Sequence, residues 1–205
     1  MAEQRLAGLI CDWGGVMTTS LFDSFRAFCA AEGLDEDALR EAFSRNPEAR
    51  ELLISLEEGR LEEAQFERAL AAHLGVGSDG LIDRMFAGAQ LDQAMVTAVR
   101  AARAAGIVTG LVSNSWGTRR YPTELLAELF DGVAISGDVG IRKPAPEIYR
   151  LGAERIGLAP EACVFVDDLP FNLDPARALG MTTVHHVDAV TTVPELERLL
   201  AVPLR

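Results

Sequence analysis

The sequence predicts a doubly wound α/β protein, a parallel sheet covered on both faces, with a helical insertion after its first strand. Three observations predict it. Short apolar runs recur along the chain, each ending in a polar residue or a tight turn. From about Leu91 these runs alternate with helix-like stretches, as parallel strands joined by crossover helices must. Between the first run and that alternation, residues from about Leu21 to Ala87 are rich in Ala, Leu, Glu and Arg and poor in β-branched residues, which reads as helix.

Taken in order, Leu6 to Cys11 is a short buried strand, stopped by Asp12-Trp13-Gly14-Gly15. Punctuation at Gly33, Asn46-Pro47, Gly59 and Gly75-Val76-Gly77 divides the insertion into four or five short helices. A helix from Asp92 to Ala105 leads through Gly106 to a strand at Ile107 to Val112. Further helix–strand pairs are Thr123 to Leu129 with Val133 to Ile135, Ala145 to Ile156 with Cys163 to Val166, and Leu173 to Leu179 with Thr182 to Val184. A last helix runs from Pro194 to Leu200. The division expected is a core of residues 1–18 and 88–205 and a helical cap of residues 19–87.

At 205 residues the chain suits one substantial core plus a modest insertion, and with 49% hydrophobic residues it packs rather than remaining disordered. Net charge is −12, and the densest basic cluster is Arg119-Arg120, so a nucleic-acid partner is not expected. No apolar run reaches the ~18 residues of a membrane span, and Met1 to Leu6 lacks signal-peptide organisation. The three cysteines, Cys11, Cys29 and Cys163, have no metal spacing. Together these predict a reduced, cytoplasmic protein with no membrane partner. Oligomeric state is open, and a homodimer is compatible with the sequence. Of 19 Lys plus Arg, only Lys143 is lysine.

In a doubly wound sheet, ligands bind beyond the carboxyl ends of the strands. The residues just after each apolar run therefore matter. Asp12 comes after the first, Ser113 and Asn114 after Val112, and Asp167-Asp168 after Val166. Beyond Ile135 the chain reaches Lys143 through Gly137-Asp138. Three carboxylates on one edge resist ionising together unless a cation joins them, and Mg²⁺ prefers such hard oxygen ligands. A lysine beside them neutralises charge and can hold a phosphate oxygen. A carboxylate can attack phosphorus to give an aspartyl phosphate that water hydrolyses.

The order Asp12, Ser113, Lys143, Asp167-Asp168 resembles the four motifs of the haloacid dehalogenase superfamily. The likeness covers essentially the whole chain. In Leu111-Val-Ser-Asn-Ser-Trp116, Val139-Gly-Ile-Arg-Lys-Pro-Ala-Pro-Glu-Ile-Tyr149 and Val164-Phe-Val-Asp-Asp-Leu-Pro-Phe-Asn-Leu-Asp-Pro-Ala-Arg-Ala-Leu-Gly-Met181 it is similar to the N-terminal phosphatase domain of soluble epoxide hydrolases and to small bacterial sugar-phosphate phosphatases. The resemblance implies a Mg²⁺-dependent phosphatase acting on a small phosphorylated molecule. It makes Asp12 the nucleophile and Lys143 its catalytic partner. Phosphate is bound by Ser113, the amide of Asn114, Gly15 and Lys143. Metal is held by Asp12, the Gly14 carbonyl, Asp168 and Asp167, and Asn172 orients the acidic loop. The insertion is the cap that closes over the site.

One position departs from the pattern. Phosphatases of the family usually read Asp-x-Asp in the first motif, and Gly14 stands where the second aspartate, the general acid/base, belongs. Two alternatives arise from this: a 2-haloacid dehalogenase, whose halide needs no proton, or a catalytically weak phosphate-binding regulator. Plainer readings stand beside the sharp ones. Asn172 can cap a helix near Leu173, Arg142 reads as solvated, and Glu57-Glu58 with Glu62-Glu63 reads as a solvated helix face. Trp116 and Tyr121 suit either pocket or core, and Trp13, beside Asp12, suits contact with substrate or with the cap hinge. His185-His186 would point to opposite sides of a strand, a poor metal pair.

Overall fold

β1 (Gly8–Cys11), β2 (Val108–Ser113), β3 (Gly132–Ile135), β4 (Cys163–Asp167) and β5 (Thr182–His185) run parallel in the order β3-β2-β1-β4-β5. They belong to a computed structural model that describes residues 6–117 and 120–205. Residues 1–5 and Arg119 of the basic pair lie outside the described residues. Ile10 is flanked by Gly110 of β2 and Phe165 of β4. The chain steps outward from β1 to β3, then crosses to β4, so the order reverses at β1. A crevice opens at such a reversal, beyond the strand ends.

Between β1 and β2 stand α1 (Leu21–Ala31), α2 (Ala38–Arg45), α3 (Pro47–Glu57), α4 (Glu63–Leu74) and α5 (Leu81–Met85). Local chemistry defines several of their ends. Asn46 accepts from the amides of Glu48 and Ala49 with Pro47 in the first turn, and Gly75 closes α4 in the left-handed conformation. After these come α6 (Gln93–Ala104), α7 (Thr123–Leu129), α8 (Ser136–Val139), α9 (Pro146–Arg155), α10 (Pro170–Ala178) and α11 (Ala189–Leu200).

The central strands are buried on both faces, and their alternating side chains feed two clusters. Leu9, Cys11, Val164 and Val166 pack with Met95 and Val99 of α6 and Leu196 of α11. Ile10, Val112 and Phe165 pack with Tyr149 of α9 and Leu173 of α10. The approach of α9 is close: a Cβ at Gly152 would sit 2.3 Å from Val112 Cγ2. The insertion has its own cluster, including Phe28, Leu39, Leu56, Phe66, Leu70 and Ile82. Its two connections to the sheet lie side by side. The Thr19 amide donates to Gln90 O at 2.7 Å, and the Asp92 amide donates to Met17 O at 2.9 Å. No helix is long and apolar enough to cross a membrane, among the described residues.

Three expectations need correction. α10 starts at Pro170, so Asn172 sits within its first turn and is not its cap. α11 starts at Ala189 because the Asp188 side chain accepts from Thr191 N, which places Pro194 inside the helix. Glu57 is buried and Arg142 pairs with it, so neither is a freely solvated charge. The end of α3 lies against the start of α8, where the Ser136 hydroxyl donates to the Glu57 carbonyl.

Candidate active site

Asp12 extends the β1 ladder by one residue, its amide donating to Val166 O at 2.9 Å. This brings its carboxylate to the carboxyl edge of the sheet beside Asp167, the last residue of β4. Lys143, in the segment between α8 and α9, reaches between them. Its Nζ lies 2.8 Å from Asp12 Oδ2 and 2.6 Å from Asp167 Oδ2. All three side chains are withdrawn from solvent, with Lys143 only 1% exposed. Ligand oxygens of Asp12, Asp167 and Asp168 fall within 4.8 Å of one another.

The supports are specific. The Trp13 amide donates to Asp12 Oδ1 at 2.7 Å, leaving Oδ2 to Lys143. Asp167 accepts from the Leu169 amide at 2.9 Å and from Asn172 Nδ2 at 3.0 and 3.2 Å. Tyr149 donates to the carbonyl of Asn172 at 2.8 Å. Asn114 clamps the lysine backbone in both directions, its Nδ2 donating to Lys143 O at 3.1 Å and its Oδ1 accepting from Lys143 N at 2.8 Å. The hydroxyls of Ser113 and Tyr121 lie 3.0 Å apart, which fixes Ser113 at the end of β2.

Electrostatics follow from burial. Burial, opposed by Lys143, moves the Asp12 carboxyl up to about 6. Burial, reinforced by Asp12 and Asp167, moves Asp168 up to about 7. Burial works against the Lys143 ammonium, but the two carboxylates outweigh it and hold it above the usual lysine value. Gly15 turns at φ +74°, and a Cβ there would sit 2.3 Å from Asp168 Oδ2. The loop is thus shaped around that carboxylate. Three convergent carboxylates with one ammonium fit a hard divalent cation.

The sequence-predicted residues therefore meet at one place: Asp12, Gly14, Gly15, Ser113, Asn114, Lys143, Asp167, Asp168 and Asn172. The Gly15 amide is engaged by Thr18 Oγ1 at 3.0 Å. His185 and His186 diverge, His186 bonding Thr192 and His185 meeting the Asp168 carbonyl. Trp13 is buried against Tyr121, their centroids 5.7 Å apart. Trp116 leaves β2 for the insertion, where its ring lies 5.4 to 5.9 Å from Phe25, Phe43, Phe66 and Phe86.

Two contributors escape sequence reasoning. Glu57 reaches the same cavity from α3, and burial moves its carboxyl up to about 7 despite Arg142. Nothing local distinguishes it from Glu58. Leu21 stands where a side chain on residue 14 would go, its Cδ1 2.6 Å from an added Cβ.

A core of this topology with the residues of four motifs at its carboxyl edge defines a class, and comparison bears it out. Residues 6–180 match the haloacid dehalogenase-like hydrolase family model, and the chain belongs to that family. It is 30% identical over 126 residues to rat bifunctional epoxide hydrolase 2, a match covering 58% of this chain and 23% of that protein. The chain thus corresponds to about a quarter of that relative's length. A sesquiterpene phosphatase of Aspergillus oryzae is 37% identical over 73 residues, 36% of this chain and 37% of that one. A fructose-1-phosphate phosphatase of Escherichia coli is 41% identical over 59 residues, 29% and 31% of the two chains. Among solved structures, a predicted HAD-like hydrolase from Porphyromonas gingivalis superposes with TM-score 0.71 at 24% identity, covering 95% of this chain and 98% of that one. A HAD family enzyme from Bacteroides thetaiotaomicron, in complex with magnesium and inorganic phosphate, superposes with TM-score 0.63 at 20% identity, covering 88% and 93%.

Proposed function

We propose that this hydrolase is a Mg²⁺-dependent phosphatase that works through an aspartyl phosphate on Asp12. The observation that carries the reading is Lys143 Nζ held between Asp12 and Asp167, with Asp168 beside them at the base of a cavity. The magnesium and phosphate of the Bacteroides enzyme and the phosphatase names of two relatives support it.

Asp12 Oδ2 attacks phosphorus and the bond to the leaving oxygen breaks. Water then attacks the aspartyl phosphate, releasing phosphate and restoring the carboxylate. Lys143 orients Asp12 and takes up charge on the phosphoryl oxygens. Ser113 and the Asn114 amide hold the same group, and Asn172 keeps Asp167 in place. Asp12, Asp167, Asp168 and the Gly14 carbonyl would hold a Mg²⁺, which would supply further charge neutralisation when bound. Gly14 carries no proton, so the leaving oxygen draws its proton from water. The insertion, residues 19–87, acts as a cap over the core and excludes bulk solvent. A small phosphorylated molecule is the partner, in a reduced cytoplasmic setting.

Purified protein is expected to release phosphate from an activated aryl phosphate with Mg²⁺, and Asp12→Asn to abolish it. Robust turnover by Asp12→Asn would sink the nucleophile assignment. Halide release from a 2-haloacid that persists in chelator would favour dehalogenation instead.

A further inference from the structure

The cavity above Asp12 continues to the underside of the insertion, where Phe25, Leu39 and Phe43 form part of its wall. An in-line displacement puts Asp12 on one side of phosphorus and the exchanging oxygen on the other. The leaving oxygen therefore departs into this cavity, and the water that hydrolyses the aspartyl phosphate arrives from it. That water loses a proton as it attacks, and Gly14 offers no base to take it. Among the described residues, the carboxylates lining the cavity are those of Asp12, Glu36, Asp37, Glu57 and Asp168. Asp12 and Asp168 belong to the cluster at its base. Arg40 engages both oxygens of Asp37 at 2.9 Å, and Glu36 is exposed. Glu57 is 5% exposed.

The fold fixes Glu57 at three points. Its carbonyl accepts from the Ser136 hydroxyl, which in turn accepts from the Ser115 amide at 2.8 Å, next to Ser113 and Asn114. The turn after α3 sits against α8, where a Cβ at Gly59 would lie 2.5 Å from the Gly137 carbonyl oxygen. Its Oε2 accepts from Arg142, the residue before Lys143. Its Oε1 has no hydrogen-bond partner among the described residues. The enclosed side-chain polar atom without a partner among them is Asn172 Oδ1, so Glu57 Oε1 is open to the cavity.

Resting on the phosphatase reading, we propose that Glu57 is a catalytic residue of the second half-reaction, its Oε1 accepting the proton of the water that hydrolyses the aspartyl phosphate. As the water oxygen bonds to phosphorus, the bond from phosphorus to the Asp12 oxygen breaks and its electron pair returns to the carboxylate. The proton on Glu57 then passes to solvent. The charges facing Glu57 suit the task. Burial moves its carboxyl up to about 7, Arg142 and Lys143 oppose that rise, and Asp12 adds to it. A base of that strength is part ionised near neutral pH.

The test uses the whole chain with Mg²⁺ and an activated aryl phosphate, whose leaving oxygen needs no proton, so that hydrolysis of the intermediate limits turnover. In rapid-quench kinetics, Glu57→Gln is expected to release about one aryl alcohol per active site in a burst. Its steady rate should then be about 100-fold below wild type, with the phosphorylated chain accumulating and read by intact mass after acid quench. Arg142→Met breaks the same ion pair but keeps the base. It is expected to accumulate no phosphorylated chain at high pH and to move the rising limb of the pH–rate profile upward, because the guanidinium that favours the ionised carboxyl is gone. Wild-type turnover in Glu57→Gln, or slowing without a phosphorylated chain, overturns the proposal and leaves Glu57 a docking role only. So does an Arg142→Met variant that behaves as Glu57→Gln at high pH. Where Glu57→Gln does not fold, an unshifted limb in Arg142→Met overturns it. If wild type hydrolyses the aryl phosphate and Asp12→Asn is dead, the phosphatase reading survives that failure. If wild type hydrolyses no phosphate ester, both fall.

Discussion

Replacing Gly15 with alanine separates backbone strain from damage to the site. Gly15 has φ +74°, and the added Cβ would lie 2.3 Å from Asp168 Oδ2 and 2.7 Å from its Cγ. The left-handed backbone costs an L side chain roughly 1–2 kcal/mol. The clash must also push the Asp168 carboxylate away, since it has to retreat beyond 3.0 Å. Gly75 is the control: its φ is +72°, with no heavy atom within 4 Å of an added Cβ. Both variants are expected to lower Tm by about 3–6 °C in chelator, read by calorimetry. Only Gly15→Ala is expected to raise the Mg²⁺ concentration for half-maximal phosphate release, by about 10- to 100-fold. A wild-type Mg²⁺ requirement in Gly15→Ala, or an equal shift in Gly75→Ala, refutes the assignment of Asp168 as a ligand.

Three other changes probe the remaining parts. Gly14→Asp meets a rotatable Leu21 methyl and should raise kcat for alkyl phosphates by about 100-fold while barely altering an activated aryl phosphate; equal changes in steady-state kinetics would remove the argument from proton transfer. Lys143→Met strands two buried carboxylates and should cost about 3–5 kcal/mol in urea unfolding, whereas Lys143→Arg, a planar fork in place of a point charge, should lose at least about 100-fold in kcat; wild-type turnover in Lys143→Arg contradicts this. Glu57, with its carboxyl raised from 4.5 to about 7, binds its proton more tightly when folded, so its contribution is full below pH 4.5 and fades as pH rises through 7. Glu57→Gln should therefore flatten the fall of Tm between those values in chelator, and an unchanged profile would refute the burial effect.

The residues legible in sequence are those whose chemistry sits directly at strand ends. Asp12, Ser113 and Asp167 each close an apolar run, so local pattern and sheet topology together place them on one edge. Lys143 stands out because every other cation is arginine. Glu57 and Arg142 look solvated in sequence because their burial comes from α3 meeting α8 and the segment that follows it, a contact with no local signature. The same holds for Leu21 opposite Gly14. Pro194 misleads because proline favours a first helical turn, yet Asp188 caps the helix upstream. Asn172 is half legible: its polarity near a helix start is clear, but its direction toward Asp167 depends on where α10 begins.

The site divides its labour between charge and apolar surface. Three carboxylates and one ammonium leave the base of the cavity negative, and a phosphate ester brings more negative charge. A like-charged pair at 4 Å costs about 4 kcal/mol at an effective dielectric of 20, so Lys143 alone cannot draw the ester in. A divalent cation offsets part of this. The apolar walls of the cavity can offset more, since each buried methylene contributes up to about 0.8 kcal/mol. Binding energy from the remote part of a substrate would then hold the phosphoryl group against Asp12. In that arrangement the insertion would contribute to turnover as well as to selectivity, with Leu21 Cδ1 standing where a side chain on residue 14 would otherwise reach.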